Sequence, residues 1–418
     1  MIRRILPVAL ALSLAASAWA QEPLTVRYTT WMIVPAAATV QVASRPYGAA
    51  HEDYTYADQP TWSVLNLDGD VVMREDGALG ETSTLTSPPD APSLLRLQPG
   101  ANYAVPHPTS EDYWFVATPD APLNVVGGFE ALYAWVPPGL TAGTIFCHAF
   151  SPGEAGRIVV SDLSGATLGE YESDFNEPEA VVFRLREPNP DGTVVKIALL
   201  EPENPDWSVD DAALWLGLET PGLLAATPEA VAGVPEIARA LGIDTDWREV
   251  LDFEGEEMPI ATIQWSKLVE EGAALPARDV SLSDERSFGG EQSLRIEMRF
   301  AEDYAEPWQE LKLFTRPIEA DGVRKVRFFL YGDNSGRALN VRVRDSSHEH
   351  HYFDAGAIDW TGWKAIVADF ENTTMSVSGG DENKRIDGPA VTVVLQISHT
   401  KEMPNESVLW VDDVAVQE

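Results

Sequence analysis

One cysteine, Cys147, stands in a chain of 418 residues, which excludes any intrachain disulfide. Its setting, "GTIFCHAF", is apolar, and a buried thiol packing as a small hydrophobe fits that setting better than a nucleophile does. Cations are scarce: 29 Lys and Arg stand against 66 Asp and Glu, for a formal charge of −37. Such a field repels phosphate backbones and anionic lipid, so neither nucleic acid nor a membrane surface is an expected partner. After the first twenty residues no apolar run approaches the ~20 residues of a spanning helix, and no membrane insertion is expected. The chain also lacks G-x-S-x-G, H-E-x-x-H, a P-loop and a dinucleotide fingerprint. No long alternation of strands and helices is present to build a barrel. Acids fall mostly in loops such as "EEGAALPARD" and "SGGDENKRID". That is the pattern of a solvated surface, and no residue is assigned a catalytic role.

What is present begins with "MIRRILPVALALSLAASAWA", residues 1–20: a basic start, an apolar stretch, and Ala18-Trp19-Ala20 before Gln21. This is the layout of a secretory signal peptide with its cleavage site. The expectation is a secreted protein, periplasmic or extracellular. Loss of Arg3 and Arg4 with the leader leaves a charge of −39.

Further along, short β-branched and aromatic runs alternate with Gly, Pro, Asp and Asn clusters at roughly ten-residue spacing, the signature of β-sandwiches. "RIVVSDLSGATLGEY" (157–171) turns at Ser-Gly, and "VRFFLYGDNSGRALNVRVRD" (326–345) turns at Asp333 to Gly336. One helix is predicted, "TPEAVAGVPEIARALGI" (227–243). Thr227 suits its cap, Pro228 its first position and Glu229 the positive end of its dipole. Gly233 and Pro235 interrupt it and Gly242 is a stop. The fold class is therefore all-β: tandem β-sandwich or jelly-roll domains with a short helical connector. The expected division is 22–125 and 126–220, which are separate or continuous, then a connector 221–248 and a last domain 249–418.

Two segments repeat a Trp followed by Val-Asp-Asp: "DWSVDDAALWLG" (206–217) and "LWVDDVAV" (409–416). The second closes a segment that resembles the β-jelly-roll carbohydrate-binding modules of the galactose-binding-like superfamily, especially those similar to family 11. The resemblance is carried by "LDFEG", "SFGGEQSLRIEMRF", "RFFLYGDNSGRALNVRVRD", "IDWTGWKAIVADF" and the closing "LWVDDVAV", in order, over about 170 residues. The middle region, through "YAWVPPG" and the first Val-Asp-Asp, resembles more loosely the accessory β-sandwiches of secreted bacterial glycosidases. The first resemblance implies polysaccharide or glycan binding. It also implies a structural calcium ion held by acids on the first and last strands, with Asp252, Glu254, Asp412 and Asp413 as candidates. Calcium takes six to eight oxygens at about 2.3–2.6 Å, which carboxylates and strand-end carbonyls supply. The alternative is that the acids satisfy backbone groups or mark a bulge. For Asp210 and Asp211 that alternative is preferred.

Strand parity proposes a ligand face. In "LNVRVRD" the valines oppose Asn340, Arg342 and Arg344. In "HHYFDAG" His350 and Tyr352 share a side, and in "VTVVLQISHT" Gln396 and Ser398 oppose Val393, Leu395 and Ile397. Sugars need this mixture of an aromatic plane and planar hydrogen-bonding groups. Trp308 is a candidate stacking platform or an ordinary core residue. Trp360 and Trp363 are assigned to the core or to a loop brace. "HEHHY", with His348 and His350 of one parity, is incomplete as a transition-metal motif. Three functions remain: a secreted non-catalytic glycan binder, a glycoside hydrolase or polysaccharide lyase with its site in the N-terminal half, or a structural spacer.

Overall fold

The computed structural model describes residues 23–418 except 48–55, 57, 150, 152–153, 187–190, 242, 244–246, 266–276, 301–307, 372–375, 382 and 401. The expected leader and Gly242 lie outside the described residues. Nearly every element is an antiparallel strand, as the period-2 patterning requires.

The region before the connector is built from an eight-stranded and a ten-stranded sheet. Both sheets run through both halves of the sequence. In the first, Val26–Arg27 pairs with Tyr103–Pro108 on one side and Leu123–Val126 on the other. In the second, Leu223–Ala225 bridges Trp114–Val116 and Phe129–Val136. One apolar core extends from Val26 to Leu224. The division expected near residue 125 thus falls inside a strand that joins the halves, because each half completes its sheets with backbone donors and acceptors of the other.

The connector forms a 3-10 turn, Ala230–Gly233, followed by a helix, Val234–Ala240. Thr227 Oγ1 accepts the Ala230 N–H at 3.2 Å. The segment is packed onto the first body: Val231, Val234 and Ile237 meet Ile33, Trp114 and Leu223, and Trp114 Nε1 donates to the Ala230 carbonyl at 2.9 Å.

The last domain is a two-sheet sandwich. One sheet orders Ala277–Ser283, Ser293–Arg299, Glu406–Gln417, Lys325–Asp333 and Thr361–Asp369, and Arg248–Leu251 adds to the closing strand. The other orders Ile260–Trp265, Trp308–Thr315, Ala390–Thr400, Ala338–Arg344, His350–Ala357 and Ser376–Ser378, with Ile318–Glu319 on Ala390–Thr400. Ile296, Phe328, Val341, Leu395 and Leu409 fill the space between, each burial contributing about 1.5–3 kcal/mol.

The first of these sheets is buried on its outer face too. Phe288, Phe329, Trp363, Ala365 and Trp410 pack there on Ala142, with Val182 alongside. Phe288 stacks on Phe329 at 3.5 Å between ring centroids. Arg184 of the first body donates to the Phe288 carbonyl at 3.1 Å and to that of Ser287. Trp363 therefore belongs to the contact between the bodies. Trp360 braces a turn, its carbonyl accepting the Asn334 N–H at 2.8 Å.

Candidate ligand-binding face

The other sheet of the last domain sends Val341, Val343, Val393, Leu395 and Ile397 into the core and most of its polar residues to the opposite face, where Val394, Gln396 and Ser398 of the central strand are buried as well. Register aligns the outward set in rows. Gln264, Lys312, Gln396, Asn340 and Asp354 lie side by side across five strands. The next row holds Phe314, Val394, Arg342, Tyr352 and Ser376, and a third holds Thr392, Arg344, His350 and Ser378. Asn340, Arg342, Arg344, His350, Tyr352 and Gln396 thus share one surface. Trp308 sits on the same sheet opposite Thr400, but its side chain lies outside the described residues.

Within the rows Arg342 backs Tyr352. Its guanidinium carbon lies 4.5 Å from the ring centroid, and its Nη1 is 3.5 Å from the Tyr352 hydroxyl, which is itself 3.2 Å from Ser378 Oγ. This holds the ring in one orientation. Arg344 Nη2 donates to His348 Nδ1 at 2.6 Å. Gln396 Nε2 donates to Glu310, which also meets Lys312 Nζ at 3.0 Å. Four buried polar atoms on this surface have no partner among the described residues: Arg342 Nε, Arg344 Nε, His350 Nδ1 and Gln396 Oε1. Neither Arg342 nor Arg344 belongs to an ion pair among the described residues. Burial, and then the neighbouring Arg344 and Arg342 cations, hold His350 below the usual imidazole range, so it is neutral at pH 7. Those cations also make the His348 and His350 pair unsuited to a metal ion.

The acids expected to hold calcium are arranged otherwise. Asp412, 0 % exposed, accepts the N–H groups of Phe288 at 2.7 Å, Gly289 at 3.3 Å and Asp413 at 3.0 Å. Glu254 Oε1 accepts those of Glu291 and Gln292, both at 2.9 Å, and Asp252 Oδ1 that of Glu254 at 3.2 Å. Asp413 occupies a bulge with φ of 45°. Near it lie Glu249, Asp252, Glu254 and the buried Arg327, which also faces Glu219 of the first body. Burial and the adjacent carboxylate push Asp412 up, while burial and Glu249 push Asp413 up against the pull of Arg327. Asp412 is thus taken up by backbone amides, while Asp413 faces Glu249, Asp252 and Glu254 with Arg327 as the nearby cation.

The first Val-Asp-Asp has a different partner, one that sequence reading missed. Arg27 Nη1 donates to Asp211, and the guanidinium lies 4.3 Å from the Tyr47 ring and 4.8 Å from that of Tyr28. Nearby Tyr103 is pushed up to about 12, chiefly by burial. Also missed was a half-buried aromatic face on the eight-stranded sheet. Phe146 and Trp215 stack at 5.4 Å, beside a cleft of about 560 Å³ lined by Tyr28, Pro119, Pro122, Asn124, His148 and Trp215. Alternation in "TIFCHA" and "DAALWL" carries that signal. Cys147 faces inward there, fully buried and pushed up to about 12 by that burial, the state of an unreactive thiol.

No family model and no curated protein matches the chain. Among solved structures it is similar to the family 11 carbohydrate-binding module from Clostridium thermocellum, determined with a β-1,3-1,4-mixed-linked tetrasaccharide. The identity is 12 % over 41 % of this chain and 94 % of that one, with a TM-score of 0.30. It is also similar to TmCBM61 in complex with β-1,4-galactotriose, at 15 % identity over 41 % of this chain and 99 % of the other, TM-score 0.26. A structure described as one of the carbohydrate-binding modules from the β-sandwich superfamily matches at 12 % identity over 70 % and 98 %, TM-score 0.31. At these values the likeness brings no ligand with it.

Proposed function

We propose that the chain is a secreted, non-catalytic glycan-binding protein whose last domain docks polysaccharide on the face bearing Asn340, Arg342, Arg344, His350, Tyr352 and Gln396. One observation carries the reading: strand register places a clamped tyrosine ring among guanidinium, imidazole and amide groups that retain unpartnered atoms. A pyranose ring offers C–H groups to the aromatic plane and hydroxyls to the donors and acceptors around it. Arg342 and Arg344, in no ion pair among the described residues of a chain of −37, favour glycans that carry carboxylates. Attraction of that kind weakens with salt.

The test is affinity electrophoresis of the full chain in polygalacturonate, alginate and a neutral β-glucan, beside an Arg344→Ala, Tyr352→Ala double variant. The double variant is expected to lose at least about tenfold in affinity, equivalent to about 1.4 kcal/mol. Retention on a uronate polymer is expected to fall with added salt. Failure of every glycan to retard the chain, or equal retardation of the variant, would sink the reading and leave the spacer role.

Catalysis in the N-terminal half is the competing reading. The tyrosines around Arg27 are its best candidates, but a phenol held near 12 lies on the wrong side of neutrality for a proton-abstracting base.

A further inference from the structure

At one end of the last domain, behind the face just described, two carboxylates and an imidazole meet in the interior. Asp345, Glu349 and His351 are 4 %, 0 % and 1 % exposed, and one ligand atom of each lies within 4.8 Å of the others. Two carboxylates buried together repel and lose hydration unless a cation joins them. Elsewhere in this molecule an arginine does so: Arg27 at Asp211, and Arg327 near Asp413. Here no ion pair involves either acid among the described residues.

The hydrogen bonds present orient the acids without completing them. Asp345 Oδ1 accepts the Glu349 N–H at 2.8 Å and the Ser347 hydroxyl at 2.9 Å, and Oδ2 accepts the Asp387 N–H at 3.2 Å. Glu349 Oε1 accepts the Lys384 N–H at 3.2 Å. Glu349 Oε2 and His351 Nε2, both buried, have no partner among the described residues. Ligand carboxylates fixed by backbone amides are the usual outer support of a metal site.

We propose that Asp345, Glu349 and His351 bind a zinc ion that ties the turn between Ala338–Arg344 and His350–Ala357 to the segment around Lys384. The imidazole decides the class of metal: calcium takes oxygen, whereas zinc accepts one nitrogen with two carboxylate oxygens and leaves a fourth position open. Ligand atoms around tetrahedral zinc stand roughly 3.3 Å apart, inside the 4.8 Å that encloses these three. His351 also lines an open cleft with Phe370 and Lys384, which supplies an entry path. The site lies directly behind the sugar face, since Arg344 and Asp345 are neighbours in the chain, as are His350 and His351.

The full chain, stripped with chelator and dialysed against micromolar zinc chloride, is assayed for metal content and melting temperature. One zinc per chain is expected, with a rise of about 5–10 °C at saturation. Glu349→Gln and His351→Gln, each checked for folding by near-ultraviolet circular dichroism, are expected to lose both. A cobalt-loaded sample should show visible bands that disappear in the folded variants. Absence of stoichiometric zinc, zinc retained unchanged by both folded variants, or stabilisation by calcium chloride but not by zinc would each overturn the proposal.

Discussion

The two Val-Asp-Asp strands invite direct comparison, because one tripeptide has been built into two different settings. In the first body the pair stands at the head of Asp211–Leu216, in a regular ladder with Leu123–Val126, and Arg27 neutralises Asp211. In the last domain the pair sits in the middle of Glu406–Gln417, where a bulge gives Asp413 a positive φ and sends Asp412 to the amides of Phe288 and Gly289. Alternation would aim the two side chains to opposite faces. The bulge relaxes that rule, and Asp412 and Asp413 are both buried. A motif therefore specifies a carboxylate, and its surroundings decide whether that carboxylate meets a cation, a backbone turn or an interface.

Arg327→Met is the harshest way to break the contrast. It leaves Asp413 and Glu219 buried without their shared cation, and a loss of about 3–5 kcal/mol is expected in urea unfolding. An effect under about 1 kcal/mol would show that the guanidinium does not organise this region. Next in size is a matched pair, Asp412→Ala and Asp210→Ala. The first orphans the amides of Phe288, Gly289 and Asp413 and is expected to cost about 1–3 kcal/mol; the second should stay within about 0.5 kcal/mol. Equal losses would erase the distinction between the repeats.

The smallest effect is in pH. Asp412 and Asp413 are raised in the folded state, so the fold binds more protons than the unfolded chain above about pH 4. Their contribution is fully present below that pH and is lost as pH rises through the raised folded values. Melting temperature should therefore fall with rising pH more steeply in the parent than in Asp412→Asn, which keeps an acceptor for the amides. Parallel curves would mean that Asp412 does not carry the dependence.

Local features were readable from the sequence because they are decided within a few residues. The turn at Asp333 to Gly336 appears with Asn334 at φ 54° and Gly336 at φ 69°, and Gly233 and Pro235 divide the connector as their chemistry dictates. The alternation in "LNVRVRD" and "VTVVLQIS" was enough to place the polar face. Partners distant in the chain were not readable. Nothing near Asp211 announces Arg27, and nothing near residue 125 announces that both sheets continue through it. Parity grouped His348 with His350, but the inward residue of that strand is His351, which meets Asp345 and Glu349 across a turn. One signal was available and unused. The run "VRFFLYG" does not alternate, and an unbroken apolar strand has both faces covered, as Phe328 in the core and Phe329 against the first body show.

That doubly covered sheet has a mechanical consequence. Its outer side is docked on the first body through Phe288, Phe329, Trp363 and Trp410, while the opposite sheet, about 10 Å away, presents Tyr352 and its neighbours. Force applied at Tyr352 would pass through the thickness of the sandwich into the aromatic contact with the first body.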